Sequence, residues 1–86
     1  MKLGNSYVCV SKVIATGTTH KPSPYLIVLD IYLEGGQKLP ISFNPQNEEE
    51  KPVGGSNGMY NHNFLCRVEN EIENFIALLN KQVNHE

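Results

Sequence analysis

The sequence predicts an α+β fold, a three-stranded antiparallel β-meander with one C-terminal amphipathic helix packed on one of its faces. Three observations lead to this prediction. Residues 24–33 (PYLIVLDIYL) form a nearly continuous apolar run, which is typical of a central strand. Alternating apolar residues follow in residues 39–43 (LPISF), as in a strand with one buried face. After residue 63 the apolar residues recur at spacings of three and four, which indicates an amphipathic helix.

The first strand is expected over residues 6–15 (SYVCVSKVIA), which are rich in β-branched and small apolar types. Their alternation is imperfect. A β-bulge near residues 11–12 would place Val8, Val10 and Val13 on one face, because a bulge adds one residue and switches the parity. The sequence leaves the inward face of this strand undecided.

Residues 16–24 (TGTTHKPSP) are polar and contain one glycine and two prolines, so we expect a connecting loop that does not continue the ladder. A loop of this length can present side chains, notably His20 and Lys21, at one end of the sheet. A plain solvated loop is the alternative interpretation, and both stay open at this stage.

The turn after the central strand is placed by the apolar pattern, because register decides which side chains share a face. A three-residue loop, residues 34–36 (EGG), with Gly36 in the left-handed conformation, produces one continuous apolar face. The resulting pairs are Leu33 with Gln37, Ile31 with Leu39, Leu29 with Ile41 and Ile27 with Phe43 on that face, and Asp30 with Pro40 and Tyr32 with Lys38 on the other. Proline donates no hydrogen bond, so the third strand is expected at an edge of the sheet.

Residues 44–62 form a long Gly- and Glu-rich segment with two prolines and the acidic triplet Glu48, Glu49 and Glu50. Connections longer than about 12–15 residues without structure of their own are uncommon in compact domains and are usually functional or disordered. This segment is therefore a candidate functional loop. A mobile linker that returns the chain for the helix is the other interpretation.

The helix is expected from Asn63 onward. Its apolar stripe comprises Phe64, Leu65, Val68, Ile72, Phe75, Ile76, Leu79 and Val83. Either Asn61 or Asn63 is suited to cap its N-terminus. Arg67 and Glu71 are four residues apart and can pair across one turn.

The composition restricts the classes of protein to which this chain can belong. The 86 residues make a single domain with a formal net charge of −2 and only one arginine. The lysines are scattered singly, so direct nucleic-acid binding is disfavoured. No apolar run approaches the length of a membrane span or a signal-peptide core, and we expect a cytoplasmic protein without a membrane segment. The widely separated Cys9 and Cys66 are expected to be reduced thiols.

Three kinds of chemistry are poorly supported. A metal site would have to be assembled by the fold from Cys9, His20, His62, Cys66 and His85, of which only His62 and Cys66 have local spacing. A nucleophilic set of Cys66, His62 and one carboxylate among Glu48, Glu49 and Glu50 is not selected by any spacing. Residues 54–58 (GGSNG) lack the Lys-Ser/Thr end of a phosphate-binding loop. We therefore predict no cofactor, no metal and no enzyme activity.

The central strand suggests a function instead. One helix covers one sheet face, and the other face still presents Leu26, Val28 and Tyr32. We expect a small non-enzymatic protein-binding module, an inhibitor or adaptor that is also a homodimer, with these residues and the acidic triplet as the partner-binding site. An anti-defence inhibitor from a phage or other mobile element is one form of this hypothesis. The simpler interpretation is that these residues are scattered apolar side chains on a solvent-exposed face, which is normal in soluble proteins.

The alternative function is a small-molecule or nucleotide-binding protein that uses residues 16–24 and 54–62. The ligand-binding residues would then be His20, Lys21, Tyr60 and His62. The sequence does not decide between the two functions.

Overall fold

A computed structural model describes residues 1–52 and 60–83, with side chains through residue 81. The elements in chain order are β1 (Lys2–Leu3), β2 (Ser6–Tyr7), a 3₁₀ turn (Val10–Lys12), β3 (Val13–Ser23), β4 (Leu26–Leu33), β5 (Lys38–Phe43), a second 3₁₀ turn (Glu48–Glu50) and α1 (His62–Val83). Strands β3, β4 and β5 form an antiparallel sheet in that order, and β1 pairs with β2. The predicted α+β class is confirmed, and the small N-terminal hairpin is an addition to it.

The register between β4 and β5 agrees with the prediction. Ile27 lies opposite Phe43, Leu29 opposite Ile41, Asp30 opposite Pro40, Ile31 opposite Leu39 and Tyr32 opposite Lys38. The turn contains Gly35 and Gly36 at φ values of 87° and 82°, a region that side chains with a Cβ rarely adopt. The Gly36 amide donates to the Leu33 carbonyl at 3.2 Å and closes the turn.

The predicted first strand over residues 6–15 is wrong. Residues 6 and 7 belong to a separate hairpin, and the chain then makes the 3₁₀ turn Val10–Lys12 before β3 begins at Val13. The cause is local closure: the Val8 amide donates to the Met1 carbonyl at 2.7 Å, and the Met1 amino group donates to the Val8 carbonyl at 3.0 Å. The expected bulge is therefore a helical turn. Val8 is nevertheless buried, and Val10 and Val13 pack against the core.

The predicted loop over residues 16–24 is also wrong, because β3 continues through Ser23 and leaves only Pro24 and Tyr25 as the connection to β4. Strand β3 is longer than its partner β4, and three irregularities in their register accommodate the additional residues of β3. The threonines in this stretch favour extended backbone. Pro22 is tolerated because β3 is an edge strand within the described residues, where a missing donor breaks no ladder.

The core lies between α1 and one face of the sheet. Its buried apolar residues are Leu3, Val8, Ile27, Leu29, Ile31, Ile41, Phe43, Phe64, Val68 and Phe75. Ile76 was expected in the helix stripe but is 37% exposed, so the second half of α1 is less covered than the first. Neither α1 nor any other helix within residues 1–52 and 60–83 is long and apolar enough to cross a membrane.

The start of α1 follows from its cap. The Asn61 side-chain oxygen accepts the Asn63 amide at 2.8 Å, and the Asn61 carbonyl accepts the Leu65 amide at 3.1 Å. These bonds satisfy amides that the first turn of a helix leaves without partners. Asn61 is therefore the N-cap, which selects between the two asparagines that the sequence offered.

Candidate functional site

The open face is the side of the sheet opposite α1, and we define it by Leu26, Val28, Asp30 and Tyr32 of β4 together with His20 of β3. The β4 residues alternate with the buried Ile27, Leu29 and Ile31, which places them on the other side of the strand. Leu26 and Val28 are half-buried, and Tyr32 is 37% exposed. The structure thus brings together the three apolar residues that the sequence assigned to partner binding.

A His–Asp pair lies on the open face. His20 is paired with Val28 across the β3–β4 ladder, and its Nε2 atom lies 3.0 Å from Oδ2 of Asp30. The side chain of Asp30 is only 15% exposed, whereas that of His20 is 55% exposed. This pair was not predicted from the sequence, because residue 20 was expected in a loop. Recognising the threonine-rich stretch as a strand would have revealed it.

Tyr32 lies against Gly17 of the neighbouring strand. A Cβ added at Gly17 would lie 3.3 Å from Cε2 of Tyr32 and 3.3 Å from the Asp30 carbonyl oxygen. The aromatic ring therefore occupies the space that a side chain at Gly17 would need, an arrangement known to support glycines in edge strands. A side chain at residue 17 would therefore press on the ring of Tyr32.

The β3 edge of the sheet is a poor site for adding another strand, and the β5 edge is occupied at one end. The β3 ladder is irregular between Val13 and Ala15, between Thr16 and Thr19, and between His20 and Ser23. Bulges of this kind twist an edge and interrupt the row of hydrogen-bonding groups that a new strand would need. On the opposite edge the Asn5 amide donates to the Ser42 carbonyl of β5 at 2.9 Å. The irregular ladder thus favours the face over the β3 edge as a contact surface.

The three residues of the acidic triplet differ in their exposure to solvent. Glu48 and Glu49 are exposed, but Glu50 is only 7% exposed. The Glu50 carboxylate accepts hydrogen bonds from the Gln46 amide at 3.0 Å and from Nε of Arg67 at 2.7 Å. Burial raises the pKa of Glu50, but these hydrogen bonds and the Arg67 charge outweigh burial and lower it overall. Glu50 serves the fold, whereas its two neighbours are exposed, and Oε1 of Glu48 pairs with Nζ of Lys51 at 2.7 Å.

Arg67 connects α1 to the segment after β5. Besides Glu50, its guanidinium binds the Glu71 carboxylate one turn along the helix and donates to the Asn44 carbonyl at 2.8 Å. Its guanidinium carbon also lies 5.7 Å from the centre of the Phe64 ring. The predicted Arg67–Glu71 pair is confirmed. The stronger connection to Glu50 was missed, since no local spacing relates residues 50 and 67.

The four residues of the alternative ligand site are not all together. Nζ of Lys21 lies 5.6 Å from the centre of the Tyr60 ring. The Tyr60 hydroxyl is buried and has no hydrogen-bond partner among the described residues, and burial raises the pKa of Tyr60. His20, however, points to Asp30 on the open face. Residues 54–59 of the second proposed loop lie outside the described residues.

The local pair that the sequence identified at the helix start is formed. Sγ of Cys66 lies 3.3 Å from Nε2 of His62. Cys9 is exposed elsewhere, and its Sγ lies 3.3 Å from Oγ of Ser11, a hydrogen bond that lowers the pKa of the Cys9 thiol. Within the described part of the chain, no three His, Cys, Asp or Glu residues group as metal ligands. His85 lies outside that part.

Comparison with known proteins does not assign this chain to a family. No protein-family model matches it, and neither the curated proteins nor the solved structures contain a significant match. The function is therefore inferred from the residues and their geometry.

Proposed function

We propose that this protein is a small non-enzymatic binding module, an inhibitor or adaptor that contacts a protein partner through the open face. The observation that supports this proposal is the one-sided packing of the sheet: α1 covers one face, and on the other the described residues leave Leu26 and Val28 half-buried and Tyr32 37% exposed. Apolar side chains grouped on one partly exposed sheet face are a feature of interaction sites.

The charge distribution of the open face is consistent with an apolar contact. Asp30 is its only acid, and His20 is hydrogen-bonded to it. The exposed acids Glu48, Glu49 and Glu69 lie in the 3₁₀ turn or on α1 instead. A partner with a neutral, partly apolar surface therefore meets no unpaired carboxylate on this face, which avoids the cost of burying an isolated charge.

Site-specific photo-crosslinking tests the proposal. A photoreactive phenylalanine analogue at Tyr32 should give defined protein adducts in extracts of the native host, whereas the same probe at the exposed Asn74 of α1 should not. Adding Val28→Glu to the Tyr32 probe should reduce the adducts, because the carboxylate would have to be desolvated in the contact. Equal labelling from both positions, or labelling from Asn74 alone, would contradict the proposal.

Glu48 and Glu49 form a second, charged contact in this proposal, in keeping with an inhibitor that imitates an acidic ligand. Replacing both by glutamine should leave the thermal transition nearly unchanged because both side chains are exposed. Retention of the crosslinked partner should weaken, most strongly at low salt. The matched control is the pair Glu69→Gln and Glu73→Gln on the exposed side of α1. If both variants lost partner retention equally, the effect would come from the net charge of the protein and not from a contact at Glu48 and Glu49.

A further inference from the structure

The pair of His20 and Asp30 places an ionisable group inside the open face. Nε2 of His20 lies 3.0 Å from Oδ2 of Asp30. The Asp30 side chain is only 15% exposed, whereas the imidazole is 55% exposed and can exchange protons with solvent. A protein that covers the open face removes water from the carboxylate, and the imidazole is then the group that can compensate its charge.

The other charged and titratable groups on this side of the sheet lie away from the pair. Tyr32 and its cross-strand partner Lys38 occupy the next position of the same parity along β4. Lys21, which follows His20 in β3, has its Nζ 5.6 Å from the centre of the Tyr60 ring. Helix α1 packs against the opposite side of the sheet. Among the described residues, Asp30 forms an ion pair with His20 alone. The cross-strand neighbours of the pair are uncharged, and they are Val28 and Pro40.

We propose that protonation of His20 strengthens binding at the open face, so that the site gains affinity as the pH falls from about 8 to about 6. This inference rests on the proposed function. A neutral imidazole leaves the contact with a buried negative charge, whereas a protonated one forms a charge-neutral, hydrogen-bonded pair with Asp30. Because burying an uncompensated charge costs more than burying a paired one, the covered face favours the protonated form. Partner binding and proton uptake therefore promote each other, and the gain in affinity is lost as the pH rises.

The photoreactive probe at Tyr32 tests this pH response when adducts in an extract of the native host are compared at pH 6 and pH 8. The yield should be roughly fivefold or more higher at pH 6, within the limit of about tenfold per pH unit for uptake of one proton. His20→Gln should give a low yield at both pH values, since glutamine carries no charge. Asp30→Asn should reverse the dependence, because the protonated imidazole is then the uncompensated charge.

His62→Gln is the matched control. His62 is exposed on α1, away from the open face, so this variant should keep the full pH response. Equal yields at pH 6 and pH 8, or an equal rise in His20→Gln, would overturn the pH response and leave the proposed function standing. Absence of adducts from the Tyr32 probe at both pH values would refute the proposed function and the pH response with it.

Discussion

Nε of Arg67 lies 2.7 Å from Oε2 of Glu50, and this ion pair joins α1 to the 3₁₀ turn Glu48–Glu50. The side chains are only 22% and 9% exposed, so the pair is largely removed from water. The same guanidinium binds Glu71 within the helix and the backbone of Asn44 after β5. At least the first part of the segment that follows β5 is therefore anchored to the helix.

Arg67→Met should destabilise the protein by about 3 kcal/mol, because it leaves the buried carboxylate of Glu50 without its charged partner. Equilibrium urea unfolding measures this change in the free energy of unfolding. The double variant Arg67→Met with Glu50→Gln should be more stable than Arg67→Met alone, since it also removes the uncompensated charge. If Arg67→Met lowered the free energy of unfolding by less than about 0.5 kcal/mol, the pair would contribute no more than an ordinary surface salt bridge.

Stability should fall at acid pH through Glu50. The pKa of this carboxyl is lower in the folded protein than its ordinary value of 4.5. The unfolded chain therefore binds more protons than the folded one as the pH falls, and the stabilisation present above that value is lost as the pH drops through the folded-state pKa. Glu50→Gln should be less stable than the wild type at neutral pH but lose less stability on acidification. Parallel pH profiles of the free energy of unfolding for the two proteins would contradict this.

Gly4 should not tolerate a side chain. Its φ is 56°, and a Cβ there would overlap the Ser42 carbonyl oxygen and lie 3.1 Å from side-chain atoms of Ile41 and Phe43. Gly4→Ala should cost about 2 kcal/mol or more, from the left-handed backbone and the overlap together. Gly35→Ala is the control, with a φ of 87° but nothing within 4 Å, and should cost only about 1 kcal/mol. Equal losses of stability for the two variants in thermal unfolding would show that the overlap with β5 does not add to the cost of Gly4→Ala.

Patterns within the chain predicted the β4–β5 pairing and the helix because each depends on local periodicity. The alternation on both sides of Gly35 and Gly36 permits only one register with a continuous apolar face, and that register is observed. The sequence narrowed the cap to Asn61 or Asn63, which both lie just before the apolar stripe, and the structure selects Asn61. Ile76 departs from the pattern: it is 37% exposed, although the neighbouring Phe75 is fully buried.

The errors lie where tertiary context overrides local composition. Pro22 and the polar residues around it are typical of a loop, yet an edge strand with bulges accommodates them. The hairpin of β1 and β2 depends on hydrogen bonds between Met1 and Val8 that no apolar pattern marks. In the candidate site, the apolar residues of β4 were predictable from parity, but the His20–Asp30 pair required the correct assignment of β3.

The open face should also mediate self-association, with light scattering at micromolar concentration giving twice the 9.6 kDa mass of one chain. Packing two open faces against each other would bury Leu26, Val28 and Tyr32 of both copies. In a single copy these residues stay partly exposed to solvent, because the one helix covers only the other face of the sheet. Val28→Glu with Tyr32→Glu should reduce the mass to that of one chain, because each carboxylate would have to be desolvated in the interface. Leu78→Glu is the matched control: residue 78 is apolar, 40% exposed and on α1, away from the open face, so the dimer should persist. A wild type that scatters as a single chain would contradict self-association, and a monomer produced by Leu78→Glu alone would move the interface to the helix.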